Sequence, residues 1–236
     1  MKHLLLAGVA AVGLTLSAGV AEAAFVGPLP ATATQNNQVL PIAPNPPQRI
    51  EGWYGTQLYL IGGPAQITAT LIGSEAGATN TFWWGNSANT IFSISGTAPN
   101  GVGRLDAPVG TTSVFNNVLS GLLPFGFTST IANGNVANGQ NVDPNLGRGN
   151  FFVTLTNSND YLTIDSNVNG STPGSGQVAW IWFDDLGAGP DDNHDDLVVR
   201  LEITGGSFQV PEPATLGLLG AGLLGLGFAA RRRRQA

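Results

Sequence analysis

The middle of the chain is a series of short apolar runs separated by turn signals. In one run, Ile67, Ala69 and Leu71 alternate with threonines, so an extended segment would be apolar on one face only. Asn-Gly pairs stand between several runs, and this pair favours tight hairpin turns. No run shows a convincing 3.6-residue apolar period, although 114–123 fits a short helix. We therefore expect an all-β fold, an antiparallel β-sandwich or jelly roll.

The expected strands divide residues 50–208, which we interpret as one β-sandwich domain. They lie at 53–61, 67–71, 82–84, 91–94, 151–155, 161–164, 178–183 and 197–203. The preceding segment, 24–49, contains six prolines, which remove backbone donors and prevent ladder pairing. We expect this segment to be an extended Pro-rich linker.

The N-terminus has the three parts of a secretory signal peptide. Lys2 precedes an uncharged stretch at 4–18, and small residues flank Glu22 in Ala21-Glu22-Ala23. We expect residues 1–23 to form a signal helix that is removed after Ala23. The protein is therefore expected to be exported.

The charge and the cysteine count restrict the partners of the exported part. The chain has no cysteine, which excludes disulfides and thiolate chemistry. Residues 24–210 hold 13 acidic and four basic residues, a net charge of −9. Nucleic acid and anionic lipid are poor partners for such a surface, whereas cations are good ones.

The end of the chain is built like a membrane anchor. A Val-Pro-Glu-Pro block precedes 17 residues without a charge, 214–230, and an arginine cluster follows them. The block comprises Val210, Pro211, Glu212 and Pro213, and the cluster comprises Arg231, Arg232, Arg233 and Arg234. A helix at 214–230 would be about 25 Å long, against about 30 Å of hydrocarbon core. Because arginines are costly to translocate, we expect them to stay cytoplasmic while the helix spans the inner membrane.

These three parts, in this order at the C-terminus, resemble the PEP-CTERM sorting signal of Gram-negative bacteria. The resemblance covers residues 210–236, with Pro211, Glu212 and Pro213 as the motif. It implies recognition by an exosortase, a membrane enzyme that removes the tail and passes the protein to the cell surface or extracellular matrix. The family's association with exopolysaccharide production implies a role in a biofilm or floc matrix. A plain membrane anchor that is never processed is the alternative.

The second informative segment is an acidic loop between the last two long apolar runs. Asp191, Asn193 and Asp195 follow the D-x-[DN]-x-[DN] spacing of calcium loops, which aims alternate oxygens inwards. An EF-hand is not expected, because Asp196 stands where its glycine is required and no flanking helices are predicted. We therefore predict a β-hairpin Ca²⁺ site. Its candidate ligands are Asp184, Asp185, Asp191, Asn193, Asp195 and Asp196. Alternatively, these acids only solubilise the hairpin and prevent edge pairing.

The same loop and its flanks, 183–199, are similar to an F-x-D-L-G-G-G-x-x-D-x-N-D-L-V hairpin of secreted bacterial β-domains of the DUF4114 type. Pro190 and His194 depart from its commonest form. The resemblance implies a calcium-stabilised surface module and no reaction.

Catalysis is weakly supported by the remaining polar residues. His194 is the only histidine of residues 24–210, and its neighbours are acids, so we interpret it as a solvated loop residue and not as part of a triad. Asp184 and Asp185 could act with Asp195 and Asp196 as a glycosidase acid/base pair. Adjacent acids on a Gly-rich loop more often bind a cation, however.

The sequence thus favours an exported, non-enzymatic surface or matrix protein, sorted by its tail and stabilised by Ca²⁺. One alternative is a carbohydrate-binding module of the exopolysaccharide matrix. Trp180 and Trp182, on one face of a strand, would form its sugar-stacking platform, although core packing is the favoured interpretation of this pair. A secreted hydrolase using the acidic loop is a less favoured alternative.

Overall fold

The computed structural model describes residues 25–28, 51–74, 76–95, 104–105, 107–141, 147–157, 174–186 and 194–211. These residues form β-strands and turns without any helix, and consequently include no helix that could cross a membrane. The predicted signal helix and the predicted helix at 214–230 lie outside the described residues. The described part of the chain is therefore all-β.

The strands are short, and their bounds follow in chain order. They are β1 Phe25–Pro28, β2 Glu51–Tyr54, β3 Tyr59–Ile61, β4 Ala65–Gly73, β5 Asn80–Trp84, β6 Thr90–Ser95, β7 Arg104–Leu105, β8 Thr112–Val118, β9 Gly121–Leu122, β10 Phe125–Ser129, β11 Val136–Ala137, β12 Asn150–Thr156, β13 Ser175–Gly176, β14 Val178–Asp184, β15 Leu197–Thr204 and β16 Ser207–Gln209.

The strands build three antiparallel sheets. The largest has seven strands in the order β1-β2-β12-β14-β15-β4-β8. The second has five strands in the order β11-β10-β5-β6-β7, and the third has four, β13-β16-β3-β9. Every strand pair among the described residues is antiparallel, as expected for hairpin-connected strands. The antiparallel all-β prediction is confirmed.

The seven-stranded and five-stranded sheets share one apolar core, which gives the fold its sandwich-like character. Phe127 of β10 stacks on Phe183 of β14, with ring centroids 4.5 Å apart and the rings 3° from parallel. Phe125 of β10 packs against Phe151 of β12 at 5.5 Å. These contacts cross from one sheet to the other, so burial of aromatic surface holds the two layers together.

Strand β15 shows the predicted alternation of its side chains between two faces. Leu197, Val199, Leu201 and Ile203 belong to the inter-sheet core. Val198 faces the opposite side, where it joins a second cluster with Tyr54, Phe152, Val178, Trp180 and Trp182. Strand β14 is buried along its whole length because apolar side chains cover both of its faces. This explains its continuous apolar sequence in place of an alternating one.

Two sequence interpretations are corrected by the fold. The segment 114–123 is not a helix, since it forms the end of β8, a turn and β9. The predicted linker contains β1, which pairs with β2 from Phe25↔Tyr54 to Pro28↔Glu51. The first residues of the Pro-rich segment therefore form a strand. The strand expected at 161–164 lies outside the described residues.

The stacked ring of Phe127 is predicted to carry much of the inter-sheet stability. Phe127 is fully buried, so Phe127→Ala should lower the free energy of unfolding by about 3–5 kcal/mol. Leu119, which is 74% exposed, provides the control. Leu119→Ala should change stability by less than about 0.5 kcal/mol. Urea unfolding of residues 24–210, followed by tryptophan fluorescence, measures both, and equal midpoints for the two variants would contradict the assignment.

Candidate functional site

The register of the β14–β15 hairpin brings two acids of the loop together. The two strands pair from Val178↔Glu202 to Phe183↔Leu197. Continuing this register by one residue places Asp184, at the end of β14, opposite Asp196, which directly precedes β15. The strands therefore deliver two carboxylates to the same end of the sandwich.

Three carboxylates converge at this end and form the site that we call the acidic cluster, Asp184, Asp185 and Asp196. One oxygen from each lies within 4.8 Å of the others. Asp184 and Asp185 are buried and Asp196 is half-buried. Like charges at this spacing repel each other strongly where water is largely excluded, so the arrangement requires hydrogen-bond donors or a cation.

Hydrogen bonds fix the orientation of the carboxylates. Asp185 Oδ2 accepts hydrogen bonds from Asn80 Nδ2 (2.9 Å) and Ser129 Oγ (3.0 Å). The Asp185 backbone N–H donates to Asp196 Oδ2 (2.7 Å). The Leu186 N–H donates to Asp184 Oδ1 (2.8 Å). Because Asn80 begins β5 and Ser129 ends β10, the acidic cluster connects the hairpin of one sheet to two strands of the other.

The backbone around the acidic cluster is also closely packed. Ser74 Oγ donates to the Asp196 carbonyl (2.5 Å) and accepts from the Ala76 N–H (3.2 Å). A side chain at Gly134 would bring its Cβ to 2.9 Å from the Asp185 carbonyl. The loop that carries Gly134 therefore lies directly against the hairpin, and glycine permits this approach.

His194 lies inside the protein, so its interpretation as a solvated residue is wrong. Its side chain is 0% exposed, and its Nε2 donates a hydrogen bond to Asn150 Oδ1 (2.6 Å). Its Nδ1 lies 3.8 Å from Asp184 Oδ2. The rings of Tyr54 and Phe152 meet it edge-on at 6.0 and 6.2 Å. The backbone at His194 has φ +56°, a left-handed conformation that turns the chain towards β15.

The other predicted ligands have different locations. Asp195 is 2% exposed, but it does not belong to the group of described acids whose oxygens lie within 4.8 Å. Asp191 and Asn193 lie outside the described residues. The structure therefore brings together three of the six predicted ligands.

The predicted sugar platform is not exposed. Trp180 is 2% exposed and Trp182 is 0% exposed, and their rings stack on each other at 6.1 Å. The Arg200 guanidinium carbon lies 5.5 Å from the centre of the Trp180 ring, a cation–π distance. No ring face of this pair is open for sugar stacking. Both side chains occupy core positions instead.

Three residues of the site were not identified from the sequence, namely Asn80, Ser129 and Asn150. Each is a polar residue at the end of an apolar strand, and such residues are common at strand ends. Asn80 and Ser129 precede Asp185 by 105 and 56 residues, and Asn150 precedes His194 by 44. Only knowledge of the strand order would have identified them.

The folded domain continues directly into the sorting tail. Gln209 ends β16, the Val210 N–H donates to the Gly174 carbonyl (2.8 Å), and the Val210 side chain is 1% exposed. Pro211 is exposed. Glu212, Pro213 and the arginine cluster lie outside the described residues.

A family model described as the PEP-CTERM protein-sorting motif matches residues 209–234. The chain carries a PEP-CTERM sorting motif. The motif implies export, membrane-associated sorting to the cell surface, and an exosortase as the processing enzyme. The match begins at the last residue of β16, so the PEP-CTERM motif adjoins the β-domain without an intervening linker. A comparison with curated proteins found no match. The resemblance of the hairpin to DUF4114 domains stays a prediction.

The burial of His194 predicts a structural role. His194→Ala should lower the free energy of unfolding by about 1–3 kcal/mol, because the Asn150 amide oxygen loses its donor inside the protein. Leu186→Ala, at a 47% exposed position of the same loop, should change stability by less than about 0.5 kcal/mol. Chemical denaturation of residues 24–210 measures both. Wild-type stability in His194→Ala would contradict this structural role of the histidine.

Proposed function

We propose that the chain is a non-enzymatic protein of the cell surface or extracellular matrix whose β-domain is stabilised by Ca²⁺ after export. Two observations support the proposal. The PEP-CTERM motif directs the chain to the surface. The oxygens of Asp184, Asp185 and Asp196 converge within 4.8 Å at the end of the sandwich, and this convergence is the observation that carries the calcium assignment.

The size of the acidic cluster is compatible with Ca²⁺. Calcium binds oxygens at about 2.3–2.6 Å, so two of its ligands can be separated by up to about 5 Å across the ion. Magnesium binds at about 2.0–2.1 Å, which limits the same separation to about 4 Å. A spread of up to 4.8 Å therefore accommodates calcium without contraction.

A cation would also remove an electrostatic cost. The domain has no disulfide to stabilise it, since the chain contains no cysteine. Calcium sites of extracellular modules have dissociation constants of about 0.1–1 mM. At about 10 mM Ca²⁺ such a site would add roughly 1–3 kcal/mol to the free energy of unfolding. The stabilisation would arise mainly outside the cell, where free calcium is abundant.

The geometry gives less support to the two alternatives. A glycosidase needs two carboxyl groups on either side of a sugar, about 5–10 Å apart. Here one oxygen from each carboxylate lies within 4.8 Å of the others, a convergence that suits one cation better than a sugar placed between two acids. A carbohydrate-binding module would need exposed rings, whereas Trp180 and Trp182 are buried.

Export and processing of the protein would follow one another. The signal peptide directs export, and the segment 214–230 then holds the chain transiently in the inner membrane. An exosortase removes the tail, which releases the calcium-loaded β-domain to the surface or to an exopolysaccharide matrix.

Processing at the PEP-CTERM motif is predicted to remove the arginine cluster. In producing cells, mass spectrometry of the surface-located protein should find C-termini close to Pro211–Pro213 and no peptide with Arg231–Arg234. In cells without the exosortase, the protein should keep its full tail and stay in the membrane fraction. Recovery from normal cells of only full-length chains would show that the tail is a permanent anchor.

Calcium binding is predicted to depend on the buried carboxylates. Residues 24–210 should melt about 3–10 °C higher in 10 mM CaCl₂ than in EDTA, given the stabilisation expected for a site of this class. Asp185→Asn should lose most of this increase. Glu202→Gln also removes one negative charge, but from β15, outside the acidic cluster. This variant should keep the full increase in melting temperature. No melting shift and no heat of binding in the unmodified domain would contradict the proposal.

A further inference from the structure

Asn80 has a buried amide oxygen without a hydrogen-bond partner, next to the acidic cluster. The residue is 0% exposed. Its Nδ2 donates to Asp185 Oδ2 at 2.9 Å, which shows that the amide reaches the carboxylates. Its Oδ1 makes no hydrogen bond to any of the residues that the structure describes. Buried amide oxygens are normally satisfied, so one that is not indicates a missing ligand, such as an ion or an ordered water.

The position of Asn80 is fixed by the sheet. It pairs with Ser129 of β10 on one side and with Ile94 of β6 on the other. Its side chain points to the inner face of the five-stranded sheet, as those of Phe82 and Trp84 do, because residues two apart share a face. An apolar side chain would be the ordinary occupant of such a place. A buried amide with one unpaired end costs free energy there, so a strong interaction at its other end must offset that cost.

We propose that Asn80 Oδ1 is a further ligand of the cation held by Asp184, Asp185 and Asp196, an inference that rests on the calcium site proposed above. A half-turn of the amide about the Cβ–Cγ bond exchanges its nitrogen and its oxygen. The oxygen then occupies the place where Nδ2 now lies, 2.9 Å from Asp185 Oδ2. Two oxygens this close repel each other unless they share a cation, and carboxylate and amide oxygens are both ligands of Ca²⁺.

The consequence is a calcium-dependent clamp between the two sheets. Asp184, Asp185 and Asp196 belong to the β14–β15 hairpin of the seven-stranded sheet, whereas Asn80 begins β5 of the five-stranded sheet. Without calcium, the amide nitrogen joins the sheets through one hydrogen bond to Asp185. With calcium, the amide oxygen joins them through the ion. Calcium thereby stabilises β5 as well as the acidic loop.

Two substitutions at Asn80 test whether its oxygen binds the ion. Calorimetric titration of the full chain in detergent with CaCl₂ should show about tenfold weaker binding for Asn80→Leu, which has no side-chain oxygen. Asn80→Asp retains an oxygen and adds a charge. It should bind Ca²⁺ at least as tightly as wild type, while melting at a lower temperature in EDTA, where a fourth carboxylate is uncompensated. Asn116→Leu, at an exposed asparagine, is the control and should bind like wild type.

Hydrogen exchange of the unmodified full chain tests the clamp without relying on the folding of a variant. Addition of CaCl₂ should slow exchange in β5 as well as in the hairpin. Two outcomes would overturn the role of Asn80 and leave the calcium site in place. One is slowing of exchange that is confined to 184–196. The other is equal calcium affinity of wild type and folded Asn80→Leu. If unmodified protein binds no calcium, both the site and the clamp are wrong.

Discussion

The pairing of β14 with β15 is the interaction on which the site depends. Alternation along β15 places Leu197, Val199 and Leu201 in the inter-sheet core, so a slip of one residue would turn the core side chains away from it. This fixes the register with Phe183 opposite Leu197. The same register brings Asp184 towards Asp196. The cost of exposing an apolar face therefore determines where the charges meet.

The acids are held in a place where they repel each other, and the fold compensates for this in several ways. Donors from β5, from β10 and from the loop backbone each bind one of the carboxylate oxygens of the acidic cluster. His194 and Asn150 add a buried polar contact beside them. The side-chain donors come from the five-stranded sheet and the backbone donors from the β14–β15 hairpin, so the end of the sandwich is complete only when both sheets are in place. A cation at this point would act on the packing of the two layers and not only on the loop.

Much of the fold follows from local patterns, and the exceptions have physical causes. The alternation at 67–71 and 197–203 predicts β4 and β15 because each strand has one face in the core. The segment 114–123 resembles a helix because Phe115 and Val118, which both pack against the core, are three residues apart. In the structure, β8 bulges between them, where Asn117 has φ +55° and the pairing with β4 shifts. A bulge on an edge strand changes the two-residue period, which leaves a helix-like spacing.

The sequence alone determined the sorting tail, the β-class of the domain and the concentration of acids, because each depends on residues adjacent in the chain. Only the tertiary structure decided that Trp180, Trp182 and His194 are buried and that Asn80 and Ser129 reach Asp185. These features depend on which strands are neighbours and on which faces are covered. Asn80 and Asp185 are separated by 105 residues, and local periodicity holds no information about such a contact. The sandwich creates the contact by packing two sheets face to face.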